Sequence, residues 1–281
     1  EGPLKTLFKA VKSATDGSGF DRSFITGVSP VVMSDITTGY NIAKNIYLDS
    51  EFNDLCGFHE KEIEKVLKTI SEECGLKEND IEEALDLMRV YYNGYKFAHH
   101  AEYSIYNPTL AIYFIEAFFK TCKYPRKMLD SNLAADDAKL QYISQIPKGG
   151  QLLLDLMEKE HSLIISDLSD RFGIQQMLME RSKDFIFMSS FLYYFGVLTI
   201  GEETEDGELI LRVPNLVTRG LYVERIQQML LPEPVDRDDG VFAAKQLYTK
   251  GDMQPLCEFV EQRFFKVFHN RDYRWANAAY R

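Results

Sequence analysis

No stretch of this sequence carries the G-x-x-x-x-G-K-[ST] pattern that cradles nucleotide phosphates, so no phosphate-binding loop is encoded here. There is no G-x-S-x-G elbow either. "GVSPV" lacks the second glycine and the five histidines offer it no obvious base, which argues against a serine hydrolase. No C-x-x-C occurs, and no Cys/His group has zinc spacing. Cys56, Cys74, Cys122 and Cys257 stand far apart, and the expectation is four reduced thiols in a cytoplasmic protein. No apolar run reaches about 18 residues, so no transmembrane helix is expected. Positive charge is also short. With 32 Lys and Arg against 43 Asp and Glu, the net charge of −11 opposes broad binding to nucleic acid or anionic membrane and leaves only a local basic patch open.

What is present is a large apolar complement. Hydrophobic residues make up 45% of the 281 positions and aromatics 13%, enough for a sizeable core. Leu4, Leu7, Phe8 and Val11 predict an amphipathic helix over 3–14. A strand is expected over 22–28, followed by an irregular polar loop to 49. Ile63, Val66, Leu67 and Ile70 mark one helix, stopped by Gly75. Ile81, Leu85, Met88 and Tyr92 mark another, with Asn79 or Asp80 as its cap. "NGYKFAHHAEYSIYNP" reads as a turn and short hairpin, and Pro108 opens the next helix. "SLIISDL" is strand-like. "GVLTIGEETEDGELILRVPN" is a hairpin with an acidic tip over 201–208. Helices are expected over 214–230 and 252–268, parted by a boundary at "LPEPVDRDDG". The balance is a mainly α fold with short β elements, an α/β fragment.

Few residues point to chemistry. His99-His100 beside Glu102 reads as a solvated loop, with a metal site as the other reading. No catalytic residue and no metal ligand is assigned. The last segment, "QRFFKVFHNRDYRWANAAYR", interleaves Arg271 and Arg274 with aromatics, which suits nucleic acid. Its plainer reading is an amphipathic helix and interdomain joint, because Phe264, Val267 and Phe268 are needed for packing. The hairpin with its flanking helices resembles a winged helix, but an acidic wing would be repelled by phosphates.

Taken in order, "FITGVSPVVMSDITTGYNIAKNIYLDSEFNDLCGFHEKEIEKVL", "YYNGYKF", "YNPTLAIYF", "FMSSFLYYFGVLTI", "LRVPNLVTRGLYVERI" and "NRDYRWAN" closely resemble the AAA-ATPase-like family of bacterial and fungal proteins. In that family a P-loop NTPase is commonly joined to a C-terminal PD-(D/E)XK nuclease-type domain. The resemblance implies the end of an ATPase core over 1–50, a helical lid over 51–125 and a winged-helix-like region over 126–232. A linker and the start of the nuclease-like domain would follow over 233–281. It implies that Thr26 and Ser29 lie near the γ-phosphate, with Arg22 as a further phosphate-neutralising candidate. ATP and Mg²⁺ would be bound by the parent protein, not by this chain alone. The family's Walker A and Walker B residues would lie before residue 1 and its nuclease carboxylates after residue 281, as the chain's partners. No membrane role is implied. The alternatives are a non-catalytic interaction or regulatory module and a nucleic-acid-binding fragment.

Overall fold

The computed structural model describes residues 3–17, 19–24, 26, 44, 46–125, 127, 128, 134–158, 161–169 and 183–265. Along them run α1 (Pro3–Asp16), a 3-10 turn (Ser50–Phe52), α2 (Glu60–Cys74), α3 (Glu78–Tyr92) and α4 (Pro108–Thr121). Then come α5 (Ala134–Gln145), α6 (Gly149–Glu158), β1 (Ser162–Ile165), α7 (Phe185–Tyr194), β2 (Thr199–Glu203) and β3 (Leu209–Arg212). Last are α8 (Leu216–Leu230), α9 (Pro234–Lys250) and α10 (Gln254–Arg263). The architecture is mainly helical with short β elements, as the balance of expected helices and strands implies. No helix among the described residues is long and apolar enough to cross a membrane. The chain divides into two compact units, Glu1–Val223 and Glu224–Arg281.

In the first unit α2, α3 and α4 pack together because each presents apolar residues at helical spacing. Ile63, Leu67 and Ile70 of α2, Met88 and Tyr92 of α3, and Phe114 and Phe118 of α4 are all buried in one cluster. Gly75 ends α2 in the left-handed conformation that glycine tolerates (φ 65°). Asn107 caps α4, its Oδ1 accepting from Thr109 N at 3.0 Å and Leu110 N at 3.3 Å. Pro108 fills the first turn, where a missing N–H costs nothing. The α3 cap differs from expectation. Lys77 is the cap residue, and Asp80 reaches back to accept from its N–H at 2.8 Å.

The sheet has the order β1-β3-β2, all antiparallel. Leu163 and Ile165 point inward while Ile164 is 51% exposed, the period-2 pattern of a half-buried strand. The expected hairpin forms, with an irregularity in register between Ile200 and Glu203. Helices α5, α6 and α7 pack around β1 and each other through Leu140, Ile143, Leu152, Leu156 and Phe191, all buried.

In the second unit α9 and α10 form a helical pair. Gly240 lets α10 approach: a Cβ there would lie 3.0 Å from Phe259 Cζ. The division between units falls within α8, and the Pro- and Asp-rich stretch expected as a boundary instead opens α9. Pro234 occupies the first turn and Asp236 favours the positive end of the helix dipole, so these residues start a helix here.

Two further expectations are corrected. Residues 21–24 and 26 form no strand. Phe24 is 68% exposed, the described strands pair only with one another, and residues 25, 27 and 28 of the expected strand lie outside the described residues. The four-thiol expectation also fails, since Cys74 and Cys122 are joined in a disulfide. Their helices pack side by side, Cys74 ending α2 and Cys122 capping α4, which brings the Cα atoms to 5.7 Å despite 48 residues of separation. The argument from reduced thiols to a cytoplasmic location falls with it. Cys56 and Cys257 are free and exposed.

Candidate functional site

Of the residues assigned by resemblance, Arg22 and Thr26 are exposed and outside regular structure, and neither lines the two cavities described below. Ser29, Arg271 and Arg274 lie outside the described residues. Arg263, at the start of the basic C-terminal segment, has its guanidinium 2.7 Å from Asp236 and 3.4 Å from Asp239. Part of that segment's charge is therefore already neutralised within its own unit.

The structure instead brings together the segments that carry the resemblance. Asn93 and Gly94 follow α3 and meet Pro214 and Asn215 ahead of α8. Asn215 Nδ2 donates to Asn93 O at 3.0 Å, across 122 residues of chain. Its Oδ1 accepts from Thr218 N at 3.0 Å and from Thr218 Oγ1 at 3.1 Å. Gly94 has φ 105°, and a Cβ there would sit 2.0 Å from Pro214 O, so only glycine fits.

The next residue pairs extend this junction. Thr199 Oγ1 of β2 accepts from Lys96 N at 2.7 Å and donates to Lys96 O at 3.1 Å. Phe97 N donates to Asn53 Oδ1 at 2.8 Å, and Tyr193 OH donates to Phe97 O at 3.3 Å. The Tyr95–Ile105 and Phe58–Tyr106 bridges fasten the short hairpin beside it. Asn93, Asn215, Thr199 and Thr218 are all buried, and each has its partners, which makes the junction specific as well as stable. Asn215→Ala should lower stability by about 2 kcal/mol in urea unfolding, because it strands the Asn93 carbonyl and the Thr218 groups. Sequence reading missed these residues as a site. The Asn-Gly after α3 and the Pro-Asn before α8 were visible, but not that they meet.

Two surface clusters flank the helical layer. Arg89 grips Glu60 with two nitrogens, at 2.8 and 3.1 Å, and Tyr106 OH donates to Glu60 at 3.4 Å. The Arg89 hydrogen bonds hold the Glu60 carboxyl below its ordinary value of 4.5, while burial pushes the Tyr106 phenol up to about 12. The pair contributes stability above pH 4.5 that is lost as pH falls through the depressed Glu60 value. Both side chains are more than a third exposed, so the effect is under about 1 kcal/mol. Glu60→Gln should lower the melting temperature slightly at neutral pH and leave it nearly unchanged below the depressed Glu60 value, so that the acid limb of a thermal-melt pH profile flattens. In the other cluster His59 Nε2 lies 2.8 Å from Asp54 Oδ2, which also accepts from Tyr103 OH at 3.1 Å. Those two bonds, His59 first, hold the Asp54 carboxyl low.

A cavity of about 430 Å³ opens between the His99–His100 loop, the end of β1 and the hairpin tip. His99, His100, Asp167 and Glu203 give it polar walls, and Leu48 and Leu209 an apolar edge. His99 Nδ1 lies 3.7 Å from Glu203 Oε1. Among the described residues no Lys or Arg lines the cavity, and its carboxylates oppose a phosphate. No group of three or more His, Cys, Asp and Glu among the described residues is placed to hold a metal ion. A second groove, of about 330 Å³, runs between α2 and α3.

No protein family, characterised protein or solved structure matches this chain in sequence or fold.

Proposed function

We propose that this chain is the lid and coupling portion of an AAA-ATPase-like protein whose parent binds and hydrolyses ATP and passes the resulting movement to a nuclease-like domain. The observation that carries this is the junction at Asn93–Gly94 and Pro214–Asn215. Segments whose order along the chain resembles the family converge there, in a buried and fully hydrogen-bonded joint between the helical layer and the sheet. A joint of that kind suits a part that moves as one body when a lid closes.

The chain's own residues do not fit Mg²⁺–ATP. It has no phosphate-binding loop, and among the described residues its polar cavity carries carboxylates and no Lys or Arg. This chain should therefore show no ATP turnover by phosphate release. Turnover that is abolished by Thr26→Ala would overturn the assignment. An N-terminally extended form should gain thermal stability with Mg²⁺–ATP. Absence of that shift, together with capture of a protein partner, would favour the interaction-module reading, for which the α2–α3 groove speaks. Salt-sensitive DNA binding that is weakened by Arg271→Ala and Arg274→Ala would favour the nucleic-acid reading.

A further inference from the structure

We propose that the groove between α2 and α3 docks a basic amphipathic helix of a partner protein. This assignment goes beyond the coupling role and does not depend on it. The floor is apolar. Leu76, Ile81 and Leu85 lean on the helical core but stay half-exposed. The walls are the facing helix edges, with residues 64, 68 and 72 on α2 and 78 and 82 on α3, so the groove follows helical spacing on both sides. From residue 64 to 72 it is about 12 Å long, two helical turns. That length fits apolar anchors at i, i+4 and i+7 of a docked helix.

The charge on the rim selects the partner. Glu64 and Glu72 on α2, with Glu78 and Glu82 on α3, place four carboxylates around that floor. Among the described residues of the lining the one cation, Lys68, has its Nζ 2.6 Å from Glu64 Oε1. Glu64 holds that ammonium above its ordinary range, and the charge of Glu78 adds to the effect. The rim is thus left with excess negative charge, complementary to Lys or Arg flanking an apolar stripe. It would repel the phosphates of nucleic acid or anionic lipid. A second copy is disfavoured too, because an isologous pairing sets this acidic rim against itself in a chain of net charge −11.

The test uses the full chain and a fluorescein-labelled helical peptide of about four turns. The peptide has Leu at i, i+4 and i+7 and Lys at the flanking positions. Anisotropy should show saturable binding that weakens as salt rises. The double variant Glu72→Lys/Glu82→Lys should lower affinity at least about tenfold, with an unchanged melting temperature. Each change replaces an exposed side chain, so folding is retained. Equal affinity for a peptide with Glu in place of Lys would overturn the proposal, as would equal affinity for a Lys peptide without leucines. So would no binding, or binding indifferent to the charge reversal. Self-association of the chain that the reversal abolishes would assign the groove to a second copy instead and would equally overturn it.

Discussion

Gly94→Ala is expected to destabilise the protein by roughly 3 kcal/mol or more, read as a fall in the urea midpoint. Two costs combine. The backbone at φ 105° is strained for any residue with a side chain, about 1–3 kcal/mol. The new Cβ also lands 2.0 Å from a backbone oxygen, that of Pro214, which cannot turn aside as a flexible side chain would. Relief requires the α3 end and the segment before α8 to part, and that breaks the Asn215–Asn93 hydrogen bond. Gly75→Ala is the control. Its φ is 65°, but nothing lies within 4 Å of its added Cβ, so only the conformational cost of about 1 kcal/mol applies. If the two variants lose the same stability, the junction is looser than described and its role as a rigid joint fails.

Reducing the Cys74–Cys122 bond should lower stability by about 4 kcal/mol, the loop entropy of a 48-residue separation. For a unit of this size the melting temperature should fall by roughly 10 °C in a thiol-free phosphine. The Cys74→Ser/Cys122→Ser variant should melt at the lower temperature with or without reductant. Alkylation of the folded oxidised protein should label Cys56 and Cys257 only, with all four cysteines reacting after reduction and unfolding. Four labels without reductant, or a melt unmoved by phosphine, would remove the bridge from the account. The bond closes a loop containing all of α3 and the short hairpin. Beyond it, Tyr124 stacks on Phe118 at 5.5 Å and donates to Asp80 O at 3.0 Å, so the strap after α4 is held on both sides.

The helices of the first unit were legible because their burial repeats in sequence. Ile63, Leu67 and Ile70, and then Met88 and Tyr92, announce their faces through spacing alone. The acidic-tipped hairpin was equally legible, since buried Leu209 and Leu211 alternate with less buried neighbours beside a Gly-containing turn. Helix α9 was not. Val235, Val241 and Phe242 are exposed while the small Ala243 is buried, so hydrophobicity and burial do not run together there. At Phe24 a strand was expected and none forms, because local propensity cannot report whether a partner ladder exists. The disulfide and the Asn93–Asn215 joint escaped for one reason. Both depend on helices and loops far apart in sequence being carried together by the packing of others, and no local pattern encodes that.

The order β1-β3-β2 has a consequence for synthesis. The central strand is the last of the three to leave the ribosome, and Pro214 and Asn215 come directly after it. From the emergence of Asn93 to that of Asn215, 122 residues must be added, roughly 6–24 s of translation. Within it, about 44 residues separate Ile165 from its partner Leu209, and for those roughly 2–9 s the nascent Leu163–Ile165 edge has no native neighbour to zip against, an exposed apolar edge that a chaperone would cover.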